Sequence, residues 1–136
     1  MMVIQLNWLA IASATFAYYV LGALWFGPLC GRLYDRALEL ERSRNQKWPP
    51  MYYIVPLVSS FTVAVTTAAF SSMLPIGEFH NAWLLGLVFG IGYAVPISFT
   101  NAVNPKTPHP LLYAAVTGSY HLVGILIVAT IVFAWR

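Results

Sequence analysis

Four long apolar stretches alternate with short polar segments along the chain. They cover residues 3–29, 51–74, 79–102 and 111–135, and each is long enough to cross a bilayer core, which takes roughly 20 apolar residues. Ten of the Lys, Arg, Asp and Glu residues fall in the connecting segments, and the remaining one is Arg136. Because backbone polar groups in lipid must be satisfied internally, this pattern predicts an all-α, integral membrane bundle of four transmembrane helices.

Prolines stand near the predicted helix ends and inside the third helix. Gly27-Pro28 is expected to stop or kink the first helix, and Pro49-Pro50 lead into the second. Pro96 lies inside the third helix, where its missing N–H should leave the carbonyl of Gly92 free and kink the helix.

The first loop, residues 30–50, has a helical pattern of its own. Leu33, Ala37 and Leu40 recur at helical spacing, and charged residues occupy the other side. This pattern predicts a short amphipathic helix on the membrane surface. The alternative is a solvated connector with some helical propensity.

Composition agrees with a single transmembrane domain over residues 1–136. Hydrophobic residues make up 60% of the chain and charged residues 8%, whereas a soluble domain has about 25% charged residues. The net charge of +3 is small, and most basic residues lie in one loop. We therefore expect a lipid bilayer and no nucleic acid as the partner.

The basic residues also predict an orientation. The first loop carries five Lys or Arg residues, the third carries Lys106, and the second carries none. Cytoplasmic loops are the ones enriched in Lys and Arg. We therefore expect a multi-pass protein of the bacterial inner (plasma) membrane, with loops one and three in the cytoplasm and both termini outside.

Small residues line one face of each predicted helix. The strictest pattern is Gly86, Gly90 and Ala94 in the third helix, at four-residue spacing. Close backbone approach at small residues brings helices together in lipid. The face can serve packing within the bundle or a homodimer interface, and the sequence leaves both open.

His121 is the most informative polar residue, because it falls in the middle of the fourth helix. Ionisable residues at this depth are expensive and face the bundle interior with partners. The candidate partners are Asn7, Tyr18, Asn101 and Tyr120. Together these five residues could line a polar path or proton path, or they could simply satisfy one another in a buried polar core.

Motifs for catalysis or for cofactor binding are not found in the sequence. His80, His109 and His121 are expected outside, inside and mid-membrane, so they cannot share a metal within one chain. The single cysteine, Cys30, cannot form an intrachain disulfide. We therefore expect no catalytic residue, metal site or cofactor. A haem bridged between two His121 side chains of a dimer is a lesser alternative.

The chain resembles the small bacterial membrane proteins grouped as the domain of unknown function 1761 family. The likeness rests on Asn7-Trp8-Leu-Ala, on Gly22-Ala-Leu-Trp25-Phe26-Gly-Pro28 and on Gly118-Ser-Tyr120-His121-Leu-Val-Gly124. The resemblance implies a four-helix inner-membrane protein with no established activity. It also implies that the family's shared core includes Asn7, Trp8, Gly22, Trp25, Tyr120 and His121.

The sequence thus favours a non-enzymatic membrane protein that works as a homo-oligomer or as an accessory subunit of a larger membrane assembly. The first alternative is a small-solute or proton-coupled transporter or channel with a polar path around His121. A membrane redox or haem protein is the lesser alternative.

Overall fold

The computed structural model describes residues 6–74 and 78–135, and within these ranges every regular element is helical. Four helical segments are long and apolar enough to cross a membrane: Trp8–Leu29, Met51–Met73, Phe79–Ala102 and Pro110–Ala134. The predicted all-α fold with four spans is confirmed. The predicted start of the first helix at residue 3 lies outside the described residues.

The elements follow one another in a simple order. They are α1 (Trp8–Leu24), a π turn (Trp25–Leu29), α2 (Gly31–Leu38), α3 (Met51–Met73), α4 (Phe79–Phe89), a second π turn (Gly90–Ala94), α5 (Val95–Ala102) and α6 (Pro110–Ala134). The first span is therefore α1 with its π turn, and the third span is α4, the second π turn and α5.

Local sequence explains where several helices begin and end. The Asn7 side chain accepts hydrogen bonds from the backbone N–H groups of Leu9 and Ala10 and so caps α1. Pro110 is the first residue of α6, where its missing N–H costs nothing. Glu39 ends α2 in the left-handed conformation, with φ of 51°.

The two π turns both lie next to prolines. Pro28 lies inside the first π turn, where the Cys30 N–H donates to the Trp25 carbonyl over 2.7 Å. In the second π turn, the Val95 N–H donates to the carbonyl of Gly90, directly before Pro96. The interruption expected from Pro96 therefore takes the form of a wider helical turn just upstream, as is common where a helical ladder is broken.

α6 is the central helix of the bundle. Half of its membrane-length window is buried, compared with 22–28% for the other three spans. It packs against α1, α2, α3, α4 and α5. The other spans therefore surround α6 and expose most of their apolar surface.

The short helix predicted in the first loop is present as α2, and it packs against α6. Ala37 is fully buried there, and its carbonyl accepts a 3.1 Å hydrogen bond from the backbone N–H of His109 in the third loop. His109 Nε2 also lies 3.3 Å from a carboxylate oxygen of Glu39. Loops one and three therefore meet at the same end of the bundle.

Candidate functional site

Three side-chain hydrogen bonds join α1 and its π turn to α6 along their length. They link Asn7 Nδ2 to the Trp135 carbonyl (2.5 Å), the Tyr18 hydroxyl to His121 Nδ1 (2.6 Å) and Trp25 Nε1 to the Val116 carbonyl (3.1 Å). From one bond to the next, the residue numbers rise along α1 and its π turn while those of their partners fall along α6. The two helices are therefore antiparallel, and the Tyr18–His121 bond lies between the bonds at their two ends.

Tyr18 and His121 both lie near the middle of their spans. Tyr18 lies midway along Trp8–Leu29 and His121 midway along Pro110–Ala134. Tyr18 is 2% exposed, whereas His121 is half-buried. At this depth each of the two side chains satisfies part of the other's hydrogen-bonding capacity. The hydrocarbon of a bilayer offers no such partner.

Two glycines make room for the tyrosines in a reciprocal arrangement. A Cβ at Gly124 would clash with the ring of Tyr18, and a Cβ at Gly22 would lie 3.0 Å from the Tyr120 hydroxyl. Each helix thus contributes a Tyr-x-x-x-Gly segment, Tyr18 to Gly22 and Tyr120 to Gly124, whose tyrosine packs over the glycine of the other helix. The absence of side chains at the glycines permits the close approach of α1 and α6.

Aromatic rings surround the Tyr18–His121 pair. The Tyr120 ring centroid lies 4.8 Å from that of His121, 5.2 Å from that of Tyr18 and 5.0 Å from that of Phe26. Phe26 in turn lies 4.9 Å from Tyr34 of α2. The cluster therefore runs from mid-span to the end of the bundle where loops one and three meet.

Tyr34 continues this cluster outside the spans. Its ring lies 5.7 Å from that of Tyr113. Burial, and next the neighbouring Tyr113, raise the pKa of Tyr34 to about 12. The Tyr34 hydroxyl therefore stays protonated at physiological pH and acts as a neutral packing group.

Several Ser and Thr hydroxyls in the spans donate to carbonyls of their own helices. Thr15 donates to the Ile11 carbonyl over 2.7 Å, and Thr117 donates to the Tyr113 carbonyl over 2.8 Å. Ser98, Ser119 and Thr130 donate four residues back in the same way. Back-bonding of this kind leaves these hydroxyls unavailable as donors to a solute in the bundle.

The structure brings together three of the five residues proposed for the polar path: Tyr18, Tyr120 and His121. Asn7 caps α1 at one end of the bundle. Asn101 lies at the other end, near the end of α5, where it is exposed and its carbonyl accepts a hydrogen bond from the Asn104 side chain. The five residues therefore lie as a mid-span group of three with one asparagine near each end of the bundle.

The small-residue face of the third span packs against α6 of the same chain. A Cβ at Gly86 would lie 3.0 Å from Leu126 Cδ2, and one at Gly90 would lie 2.5 Å from Leu122 Cδ1. Both glycines are buried, and Ala94 is half-buried. This face therefore serves packing within the chain at Gly86 and Gly90.

Histidines lie apart from one another in the described part of the chain. His80 pairs with Glu78 at 3.0 Å, His109 with Glu39, and His121 with Tyr18. No group of three His, Cys, Asp or Glu side chains suited to a metal occurs among the residues that the structure describes.

Arg42 and the two glycines of the α1–α6 contact are the residues whose roles the sequence did not reveal. Arg42 Nη2 lies 2.7 Å from an Asp35 carboxylate oxygen and donates to the Phe26 carbonyl over 3.1 Å. Its guanidinium also lies 5.9 Å from the Trp48 ring centroid. The repeated Tyr-x-x-x-Gly spacing was the available signal for Gly22 and Gly124, whereas nothing in the spacing indicates the contacts of Arg42.

Residues 9–133 match the family described as "Protein of unknown function (DUF1761)". The chain belongs to the DUF1761 family. The match covers nearly the whole chain and includes both Tyr-x-x-x-Gly segments, so the family resemblance seen in the sequence is confirmed. No curated protein and no solved structure matches the chain.

Proposed function

We propose that this DUF1761 protein is a non-catalytic, multi-pass membrane subunit that works as a homo-oligomer or within a larger membrane assembly. The observation that carries this proposal is the distribution of polar and apolar side chains between the inside and the outer faces of the bundle. Many polar groups in the spans bond to their own or a neighbouring helix, whereas the outer faces of three spans present many large, exposed apolar side chains.

Internal pairing supports an architectural role for most polar groups. Within the described residues, every fully enclosed side-chain nitrogen or oxygen has a hydrogen-bond partner. The hydroxyls of Thr15, Thr117 and Ser98 bond to their own helices, as described above. A transport path would instead require a row of polar groups free to bind a solute.

Large apolar side chains on the outer faces support assembly. Phe16 of α1 is 68% exposed, Val58 of α3 is 56% exposed and Val88 of α4 is 58% exposed. Lipid can cover such side chains, and so can a partner helix that packs closely. Because α1, α3 and α4 bury so little within the chain, a partner adds contact that the small bundle lacks.

Photo-crosslinking in the native membrane tests this proposal. A photo-reactive amino acid is placed singly at Phe16, Val58 or Val88, one on each outer span. We expect one of these positions to give a protein adduct, identified by mass spectrometry as a second copy or as another subunit. The other two positions, covered by lipid, serve as matched controls. Lipid adducts alone at all three positions would contradict the proposal.

The proposal also includes the orientation of the protein in the plasma membrane, with loops one and three in the cytoplasm. Arg32, Arg36, Arg44 and Lys47 all lie at the end of the bundle where these loops meet, as does Lys106. The distribution of Lys and Arg sets the orientation of such proteins. The test introduces Ser43→Cys or Glu78→Cys on a Cys30→Ser background and adds a membrane-impermeant maleimide to intact cells. We expect labelling at position 78 alone, and labelling at position 43 alone would reverse the orientation.

A small-solute or proton-coupled transporter is the second candidate, and the half-buried, mid-span position of His121 favours it. His121→Leu in proteoliposomes separates the two functions. A pH-driven flux that the wild-type protein supports and the variant loses would establish transport. Equal background flux in both proteins supports the architectural role.

A further inference from the structure

The mid-span cluster of Tyr18, Tyr120 and His121 carries more hydrogen-bond donors than it forms hydrogen bonds within the described residues. The three side chains carry three donors when His121 is neutral: two hydroxyls and one ring N–H. One hydrogen bond, between the Tyr18 hydroxyl and His121 Nδ1, is formed within the described residues. Two donors of the cluster therefore have no acceptor in the described chain.

The free donors can be assigned to atoms. If the Tyr18 hydroxyl donates to Nδ1, the ring N–H of His121 lies at Nε2, and the Tyr120 hydroxyl is the second free donor. The opposite tautomer would leave the free donor on the Tyr18 hydroxyl. Because Tyr18 is 2% exposed, this buried hydroxyl would lack an acceptor and would destabilise the fold. The first arrangement is therefore favoured, with Nε2–H free on the half-buried His121.

The two free groups differ in their exposure. Tyr120 is 7% exposed, and its hydroxyl lies against Gly22 in the contact between α1 and α6. His121 is half-buried, and its Nε2 is not among the fully enclosed atoms that lack a partner in the described residues. A molecule outside the chain can therefore contact His121 Nε2 at this depth.

The depth and surroundings limit what that molecule can be. His121 lies near the middle of α6, about 16 Å from its first residue at 1.5 Å per residue, and lipid headgroups do not reach that depth. The nearest partners are the rings of Tyr18 and Tyr120, and no Asp, Glu, Lys or Arg occurs in the four described spans. The ligand must therefore be neutral, soluble in hydrocarbon and equipped with an acceptor oxygen.

We infer that the Nε2–H of His121 forms a binding site for a lipid-soluble, neutral molecule that carries a carbonyl oxygen, such as the head of an isoprenoid-type quinone. The His121 Nε2–H donates to the carbonyl oxygen, and Tyr18 holds the imidazole in the required tautomer. This is a binding site, with no bond made or broken. The inference goes beyond the proposed function and does not depend on it.

Ligand-dependent thermal stability in phosphatidylcholine nanodiscs provides the test. The probe is decylubiquinone, and decylbenzene, which has the same ten-carbon tail but no acceptor oxygen, is the control. Because a ligand that binds the folded state stabilises it by an amount that grows with the logarithm of the ligand concentration once this exceeds the Kd, we expect a concentration-dependent rise in melting temperature with decylubiquinone and none with decylbenzene.

Variants assign the effect to the site. His121→Leu removes the donor and should weaken decylubiquinone binding about tenfold, the value of one hydrogen bond in a favourable case. His121→Gln keeps both an acceptor for Tyr18 and a free N–H, so it should bind within about threefold of wild type, which also covers the case in which the leucine variant does not fold. Tyr18→Phe should weaken binding, because it removes the hydroxyl that holds the imidazole in the required tautomer, whereas the control Tyr19→Phe should not.

Three results would overturn the inference. The first is an equal rise in melting temperature with decylbenzene, which would show insertion of the tail alone. The second is unchanged decylubiquinone binding in His121→Leu. The third is no rise in melting temperature with decylubiquinone in wild type, and a loss of particle mass in His121→Leu would then assign the free N–H to a contact between protein chains.

Discussion

The Tyr18 hydroxyl and His121 Nδ1 lie 2.6 Å apart, and their hydrogen bond joins α1 to α6 near the middle of both spans. It is the central one of the three side-chain hydrogen bonds between the first and fourth spans. The glycines at positions 22 and 124 allow the approach that makes it possible. The pair therefore links a mid-span histidine to a close contact between α1 and α6.

A double-mutant cycle measures the strength of this pair. Tyr18→Phe removes the hydroxyl and keeps the ring, and His121→Leu removes the acceptor. Hydrogen bonds between membrane helices contribute about 0.6 kcal/mol on average, so we expect a coupling energy of this size between the two changes. Unfolding in mixed micelles gives the four free energies of unfolding. Strict additivity of the two single changes would contradict the bond.

Gly124→Ala should destabilise the α1–α6 contact. The new methyl group would overlap the Tyr18 ring, and overpacking of this kind costs about 1–3 kcal/mol. Gly92→Ala is the matched control, since a Cβ there meets no atom within 4 Å. The melting temperature of both variants in the same detergent provides the measurement. Equal melting temperatures would show that Tyr18 moves aside at no cost.

Asn7 should stabilise the fold in two separable ways. Its side-chain oxygen caps α1, and its Nδ2 donates to the Trp135 carbonyl. Asn7→Asp keeps the cap and loses the second bond, whereas Asn7→Ala loses both. Since loss of a cap costs about 1 kcal/mol, Asn7→Ala should unfold at a lower temperature than Asn7→Asp. The difference between wild type and Asn7→Asp measures the bond to Trp135, and equal melting temperatures for Asn7→Asp and Asn7→Ala would contradict the contribution of the cap.

Gly90→Leu should separate the third span from α6. Its Cβ would lie 2.5 Å from Leu122 Cδ1 and 3.4 Å from Leu122 Cα, so the larger side chain has no room. We expect a loss of folded protein on size exclusion, with Gly92→Leu, on the open side, retaining it. A Gly90→Leu protein that stays folded and only loses particle mass would instead place this face between chains.

The helices of this fold follow directly from the sequence, because lipid permits few other structures. A charge-free stretch of more than 20 residues must be helical in a bilayer, and Pro110 and the cap at Asn7 identify helix starts by local chemistry. The position of α6 at the centre could not be deduced this way. All four spans are similarly apolar, so composition does not show which helix the others surround.

The candidate site was predictable only in part for a related reason. The depth of His121 follows from counting residues, and Tyr120 lies next to it in the chain. The pairing with Tyr18 depends on the register between α1 and α6, and helical periodicity gives the face of each helix but not the register between two helices. Because the register between helices was not known, the sequence also suggested Asn101 as a member of the cluster. The structure instead places Asn101 near the bundle end, on α5.

The mass and composition of the particle extracted from its native membrane in mild detergent test the central claim most directly. Size-exclusion light scattering gives the protein mass, and mass spectrometry identifies each chain that co-elutes. We expect a particle of at least twice the 15.1 kDa of one chain, or one that contains a foreign subunit in fixed stoichiometry. A stable, folded particle with the mass of a single chain and no partner would contradict it.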